Sequence, residues 1–260
     1  MARSHPVVQQ IGFGRIPPCD FAGVARGIAL VSACLLLPAW AMPAEVQAPE
    51  RRAEVSSPRP GETKLQERWD AAYRGERAAP WDTGRPSSEL ARAITSKTVQ
   101  PGRAVELGCG TGTNAVYLAQ QGFQVTAIDI APTALKLAKE KADQANVKVR
   151  WVQADVLNPP ELERFDFVFD RGCYHGVRRQ NAAGYVETVR RLSHPGAKVL
   201  IIAGNANETR SGGPPRVREE EIRQDFAEGF EILSLKEMRF DTAEGAAKGA
   251  LGWAILLERK

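Results

Sequence analysis

Glu106, Gly108, Gly110 and Gly112 stand at alternate positions, and Asp129 ends the next apolar run; together they are suited to hold a nucleoside. Glycines lack the Cβ atom that would keep a ligand off the backbone. An acidic residue at a strand end accepts hydrogen bonds from ribose hydroxyls. The flanking segments Val105-Glu106-Leu107 and Val125-Thr126-Ala127-Ile128 read as buried strands, so the whole is a nucleoside-binding βαβ unit. A dinucleotide-binding loop would need a third glycine where Thr113 stands. The joint occurrence of glycines, acid and strands also argues against a tight turn that binds nothing.

With Glu106 two residues before the first glycine, this segment resembles motif I of the class I S-adenosylmethionine (SAM)-dependent methyltransferases. Three further segments resemble the thiopurine, thiol and halide methyltransferase family. Trp69-x-x-x-Tyr73 followed by Pro80-Trp81-Asp82-x-Gly84-Arg85-Pro86 is similar to its N-terminal lid. Phe165-Asp166-Phe167-Val168-Phe169-Asp170-Arg171-Gly172 is similar to its fourth strand, with the Asp-Arg-Gly of thiopurine methyltransferases. Gly212-Gly213-Pro214-Pro215-Arg216-Val217, with Glu221-Ile222 and Phe226, is similar to its Gly-Pro-Pro loop and following helix. The resemblance covers about residues 65–258 and implies SAM as cofactor and a small-molecule methyl acceptor. It also implies a Rossmann-like, doubly wound α/β sheet of seven strands, ordered 3-2-1-4-5-7-6, under an N-terminal helical lid.

By the same resemblance, Trp69, Tyr73 and Trp81 cover the cofactor, their aromatic faces attracting the sulfonium, and Asp155 contacts the adenine amino group. Glu106, Gly108, Gly110, Gly112, Asp129, Ile130, Ala154 and Asp170 complete the cofactor set. The chain departs from thiol and halide relatives at Tyr73, where they carry a second tryptophan, and at Arg171, where they often place an aromatic residue. Those departures argue against halide; the acceptor expected from the resemblance as a whole is a thiol or another soft sulfur, selenium or tellurium nucleophile. A thiol must lose its proton before attack, and Arg171 beside the site favours the thiolate. His175 is a candidate base or substrate contact, and Asp170 joins Arg171 and His175 as the candidate catalytic set. Two rival readings are an NAD(P)-dependent oxidoreductase and a non-catalytic nucleoside-binding or scaffold module.

Elements to position these residues are legible in the periodicity. Leu65, Trp69 and Tyr73 recur at helical spacing, and a loop follows over residues 79–86. Strands are predicted at 104–107, 124–128, 148–152, 165–169 and 198–203, with helices after Gly112, from Pro132 and over 185–192. His194-Pro195-Gly196 reads as a turn, 204–215 as a loop, 217–226 as a helix, and 230–240 with 251–257 as a closing hairpin. Alternating strands and helices mean a parallel, doubly wound sheet.

At 260 residues, 43% apolar and 25% charged, the chain suits one globular catalytic domain, expected as a monomer over residues 63–260. Half of the formal +4 charge lies in residues 1–41, where Arg3, Arg15 and Arg26 oppose only Asp20, so no extended nucleic-acid surface is expected. Those residues look like a signal peptide: arginines, an apolar run over 27–37, then Ala39-Trp40-Ala41. Val31-Ser32-Ala33-Cys34 also resembles a lipoprotein box, so export or membrane tethering through this segment alone is expected. A start at Met42 or later would instead leave the domain cytoplasmic. Residues 42–62, rich in Pro, Glu, Arg and Ser, read as a flexible linker. Cys109 and Cys173 have no cysteine or histidine partner at metal spacing, so no metal is expected.

Overall fold

From residue 103 onward, apolar runs of strand length alternate with helical segments, and the computed structural model, which describes residues 60–76, 79–243 and 249–260, joins them in one sheet. Its strands are β1 (Arg103–Leu107), β2 (Gln124–Asp129), β3 (Val149–Gln153), β4 (Phe165–Arg171), β5 (Ser193–Asn205), β6 (Arg216–Val217), β7 (Phe230–Arg239) and β8 (Leu251–Arg259). Its helices are α1 (Pro60–Tyr73), α2 (Ser88–Thr95), α3 (Thr113–Gln120), α4 (Pro132–Gln144), α5 (Tyr174–Leu192) and α6 (Glu219–Asp225). The order is β3-β2-β1-β4-β5-β8-β7, with the two-residue β6 pairing only with β5. Leaving β6 aside, this is the expected order of seven. β1 to β5 are parallel, returned in the same direction by α3, α4 and α5 and, between β3 and β4, by the helix-free segment 154–164, whereas β8 lies antiparallel to β5 and β7.

Strand alternation divides the core into two layers. Val105, Leu107, Val168 and Ile201 face Tyr174, Tyr185 and Val189 of α5 and Ile222 of α6. Ala104, Ala127, Phe167 and Leu200 face Leu90 of α2 and Ala115 and Leu118 of α3. By the same alternation Glu106 lies on the α3 side of the sheet and Asp170 on the α5 side.

The structure corrects four expectations. α2 has no counterpart in the pattern read from the sequence, although Leu90 and Ala93 are buried. α5 starts at Tyr174 instead of residue 185, with a kink at Asn181 (φ −158°, ψ 88°), whose side chain accepts the Gly184 N–H at 2.8 Å. The His194–Gly196 turn is an outward bulge within β5, because Phe165 pairs with Ser193 and Phe167 already with Lys198. Residues 216–217 are strand, and helix α6 starts only at Glu219 after the Pro214-Pro215 pair, which disfavours helix upstream.

The leader at residues 1–41 and residues 42–59 of the linker lie outside the described residues. The last three linker residues are helical, since α1 begins at Pro60, a favoured first helical residue. Among the described residues no helix is long and apolar enough to cross a membrane.

Candidate active site

The registers that pair Leu107 with both Ile128 and Asp170 bring the loops after β1, β2 and β4 together at the carboxyl edge of the sheet. Gly108, Gly110 and Gly112 all have positive φ (66°, 52° and 72°), so the loop needs glycine for its path as well as for its openness. Asp129 fixes this loop: its Oδ2 accepts the Gly110 N–H at 2.7 Å and its Oδ1 the Ala131 N–H at 2.9 Å. A Cβ on Gly108 would lie 2.7 Å from Cys173 Cβ, one on Gly110 2.8 Å from the Tyr73 hydroxyl, and one on Gly112 2.6 Å from the Trp151 ring. The space over Gly110, read from the sequence as ligand space, is therefore taken by Tyr73 in this state.

Above the loop sits the lid. Trp81 meets Trp69 and Tyr73 edge-on, with centroids 5.8 and 6.5 Å away, and its indole N–H donates to the Tyr73 hydroxyl at 3.2 Å. Asp70, which sequence reasoning missed, ties α1 to the start of α4 by accepting the Thr133 N–H at 2.7 Å and the Thr133 hydroxyl at 3.0 Å. Asp82, quoted before only as part of the lid motif, accepts the Thr111 hydroxyl at 2.8 Å and so joins lid to glycine loop. Between them opens a cleft whose lining includes Tyr73, Trp81, Glu106, Thr113, Asn114 and Arg171.

Glu106 is 1% exposed. Its Oε1 accepts from Asn114 Nδ2 at 3.0 Å, while Oε2 is buried without a partner. Burial pushes its carboxyl up to about 8. Asp129 is also raised by burial, against the pull of its backbone donors. Asp170, fully buried, accepts the Cys173 and Tyr174 N–H groups at 2.9 Å each and the Tyr185 hydroxyl at 2.7 Å. Burial raises it to about 7. Three donors inside the protein occupy this carboxylate, and Asp170 is absent from the cleft lining. The structure thus gives it the start of α5 to position, not the catalytic or cofactor contact read from the sequence.

Arg171 lines the cleft and holds two segments at once, donating from Nη1 to the Trp81 carbonyl at 2.9 Å and from Nη2 to the Asp241 carbonyl at 3.2 Å. Its guanidinium also lies 5.7 Å from the Phe240 ring centroid. His175 packs edge-on to Phe240, and its Nδ1 accepts the Gly204 N–H at 3.0 Å. The neutral ring therefore carries its proton on Nε2 and has its lone pair spent, which replaces the expected base with a donor. Burial first, then Arg171, lowers His175 to about 4.

Of the remaining candidates Ile130, Ala154, Asp155 and Cys173 are absent from the cleft lining, as is His175, whereas Cys109 is part of it. Ile130 follows β2, while the Ala154 N–H donates to the Asp129 carbonyl at 3.0 Å and Asp155 Oδ1 accepts the Leu157 N–H at 2.9 Å. Cys109 and Cys173 are free thiols raised by burial. No cluster of three or more His, Cys, Asp or Glu among the described residues is arranged to hold a metal ion. His194 is elsewhere, 2.6 Å from Asp166.

The depressed His175 has a measurable consequence. A folded pKa of about 4 against 6.5 unfolded gives stability that is fully present above pH 6.5 and lost as the pH falls through 4. The loss amounts to about 3 kcal/mol. Urea unfolding at pH 7.5 and 4.5 is expected to show His175→Gln losing less stability on acidification than the wild type. Parallel losses in both proteins would contradict a neutral, buried His175.

The profile of the thiopurine S-methyltransferase family matches residues 64–256. A 2-heptyl-1-hydroxyquinolin-4(1H)-one methyltransferase of Mycobacteroides abscessus is 32% identical over 62% of this chain and 74% of its own length. A probable thiol methyltransferase 2 of Arabidopsis thaliana is 28% identical over 70% of this chain and 80% of its own. A solved structure described as "Conversion of a Disulfide Bond into a Thioacetal Group during Echinomycin Biosynthesis" superposes with a TM-score of 0.66 at 28% identity, covering 75% of this chain and 93% of that one. Neither the oxidoreductase nor the non-catalytic reading is favoured by these relatives. A match across almost the whole described domain, over a glycine loop, an aromatic lid and an Asp-Arg-Gly strand end, makes this chain a SAM-dependent small-molecule methyltransferase that belongs to the thiopurine S-methyltransferase family.

Proposed function

We propose that the acceptor is a soft nucleophile that arrives already ionised: a thiolate, or a selenium or tellurium counterpart. The observation that carries this is the pairing of Arg171 with His175. The first is a permanent cation in the cleft lining; the second lies behind it, outside that lining, packed on the same Phe240 ring and with its Nδ1 lone pair committed to the Gly204 N–H, so this side favours an anion and His175 supplies no base. Soft, acidic thiols meet that demand near neutral pH, whereas alcohols do not. Turnover on a panel of thiols, sulfide, thiopurines, thiocyanate, halides, alcohols and amines tests the reading. Rates should follow the thiolate fraction of each thiol, and faster turnover of neutral alcohols or amines than of thiolates would refute it.

The residues present fit SAM. The glycine loop offers bare backbone, and the orphaned Oε2 of Glu106 is an acceptor awaiting a cation. Glu106, Asp129 and the Gly108–Gly112 backbone would hold the cosubstrate, under Trp69, Tyr73 and Trp81, with Ile130, Ala154 and Asp155 on the nucleoside side. When bound, SAM supplies a methyl group on a positively charged sulfur. The lid excludes water from the cleft, and Arg171 orients the anionic acceptor.

Glu106 gives this arrangement a pH signature. Its carboxyl, at about 8, is largely protonated at neutral pH. Binding a cation requires the ionised form and so expels a proton. Affinity for SAM should rise by up to about tenfold per pH unit below 8 and level off above it. Calorimetry in buffers of different ionisation enthalpy checks the proton release, and Glu106→Gln should flatten the profile. A flat wild-type profile would remove Glu106 from the cation's contacts.

We propose further that the leader exports or tethers the enzyme and that the domain works without it. A chain shortened to begin at Ser57, upstream of α1, is expected to retain full activity. Mass spectrometry of the native N-terminus tests export separately. A soluble cytoplasmic protein beginning at Met1 would refute it.

A further inference from the structure

Beneath the glycine loop lies a half-buried cation whose hydrogen bonds have a definite direction. Lys141 Nζ, reaching from α4, donates to Thr111 Oγ1 at 2.8 Å and to Thr113 Oγ1 at 2.6 Å. An ammonium only donates, so each hydroxyl accepts from it and directs its own proton elsewhere. Thr111 gives its proton to Asp82. Thr113, the first residue of α3, lines the cleft, and its proton has no acceptor among the described residues. A hydroxyl donor polarised by a cation at a helix N-terminus suits a carboxylate.

A second observation in the same cleft is independent of the helix. Glu106 Oε2 is buried and unpartnered, an arrangement suited to an ammonium group. Of the two arginines of the lining, Arg85 donates to the Thr242 and Ala243 carbonyls, and Arg171, which bridges the Trp81 and Asp241 carbonyls, is the one assigned above to the acceptor. We infer that Lys141 and Thr113 form a carboxylate subsite which, with Glu106 as the ammonium subsite, recognises the zwitterionic amino-acid end of SAM. The inference rests on SAM as the cosubstrate. It assigns to Lys141 a role through Thr113, so Lys141 is a positioning residue.

Calorimetry on the full chain with two ligands tests it. S-Adenosylhomocysteine has the amino-acid end, and 5′-methylthioadenosine carries the same nucleoside thioether without it. Lys141→Met is expected to weaken S-adenosylhomocysteine by about 10- to 100-fold while changing 5′-methylthioadenosine by no more than about twofold. Thr113→Val should act in the same direction, and Thr113→Ser, which keeps the hydroxyl, should bind as the wild type does. Equal losses for both ligands would make Lys141 a support of the loop and overturn the subsite; so would undiminished binding of S-adenosylhomocysteine. Should Lys141→Met fail to fold, Thr113→Val decides the matter without touching α4. A wild type that binds neither ligand would instead overturn the underlying use of SAM.

Discussion

Asp129→Ala is expected to weaken S-adenosylhomocysteine by about a hundredfold or more while the sheet stays folded. The carboxylate makes two bonds that hold the cradle itself, to the Gly110 and Ala131 N–H groups, and is proposed to take the ribose hydroxyls as well. Each hydrogen bond to a charged group is worth about 1.5–3 kcal/mol. Losing the ribose contact and loosening the loop together cost about 3 kcal/mol or more, which is the hundredfold. Asp129→Asn should recover little, because its amide nitrogen must face one of the two N–H donors. Calorimetry measures the loss, and circular dichroism verifies the fold. Wild-type affinity in Asp129→Ala would refute the cradle.

Arg171→Ala is expected to lower kcat/KM for the best acceptor by roughly 10- to 1000-fold, a loss of about 1.4–4 kcal/mol in transition-state stabilisation. The effect has two parts. An anionic acceptor loses its cation, and the lid loses the bridge from the Trp81 carbonyl to the Asp241 carbonyl. Arg171→Lys should restore only a fraction, since a point charge on a flexible stem does not span two carbonyls as a planar fork does. Steady-state kinetics with each substrate varied separates the parts: kcat/KM for the acceptor should fall more than that for SAM. A collapse of SAM affinity with normal turnover at saturating SAM would make Arg171 a lid residue alone.

The glycine loop and its acid were legible because their determinants are local. Glycines at alternate positions and an acid at a strand end lie within 24 residues, from Glu106 to Asp129, and strand periodicity supplies the frame. The surroundings of Arg171 were less so. That Asp170 is consumed by Tyr185, or that the lone pair of His175 is spent on Gly204, depends on hydrogen bonds across 15 and 29 residues that no spacing rule reports. Lys141 was silent for the same reason, its partners Thr111 and Thr113 lying 30 and 28 residues away. The first half of α5 was hidden by Gly176, Gly184 and the kink at Asn181, which break the apolar repeat. α2 was too short, at eight residues, for its buried Leu90 and Ala93 to stand out.

On the roles proposed above, the two carbonyls that Arg171 grips belong to different partners of the reaction: Trp81 to the cover of the cosubstrate, Asp241 to the segment next to Phe240 on the acceptor side. One side chain thus makes the two binding events terms of a single linkage. Thermodynamic reciprocity then requires that whatever factor the acceptor adds to cosubstrate affinity, the cosubstrate adds to acceptor affinity. Where that factor exceeds one, seating either molecule favours the other and the cleft fills as a pair.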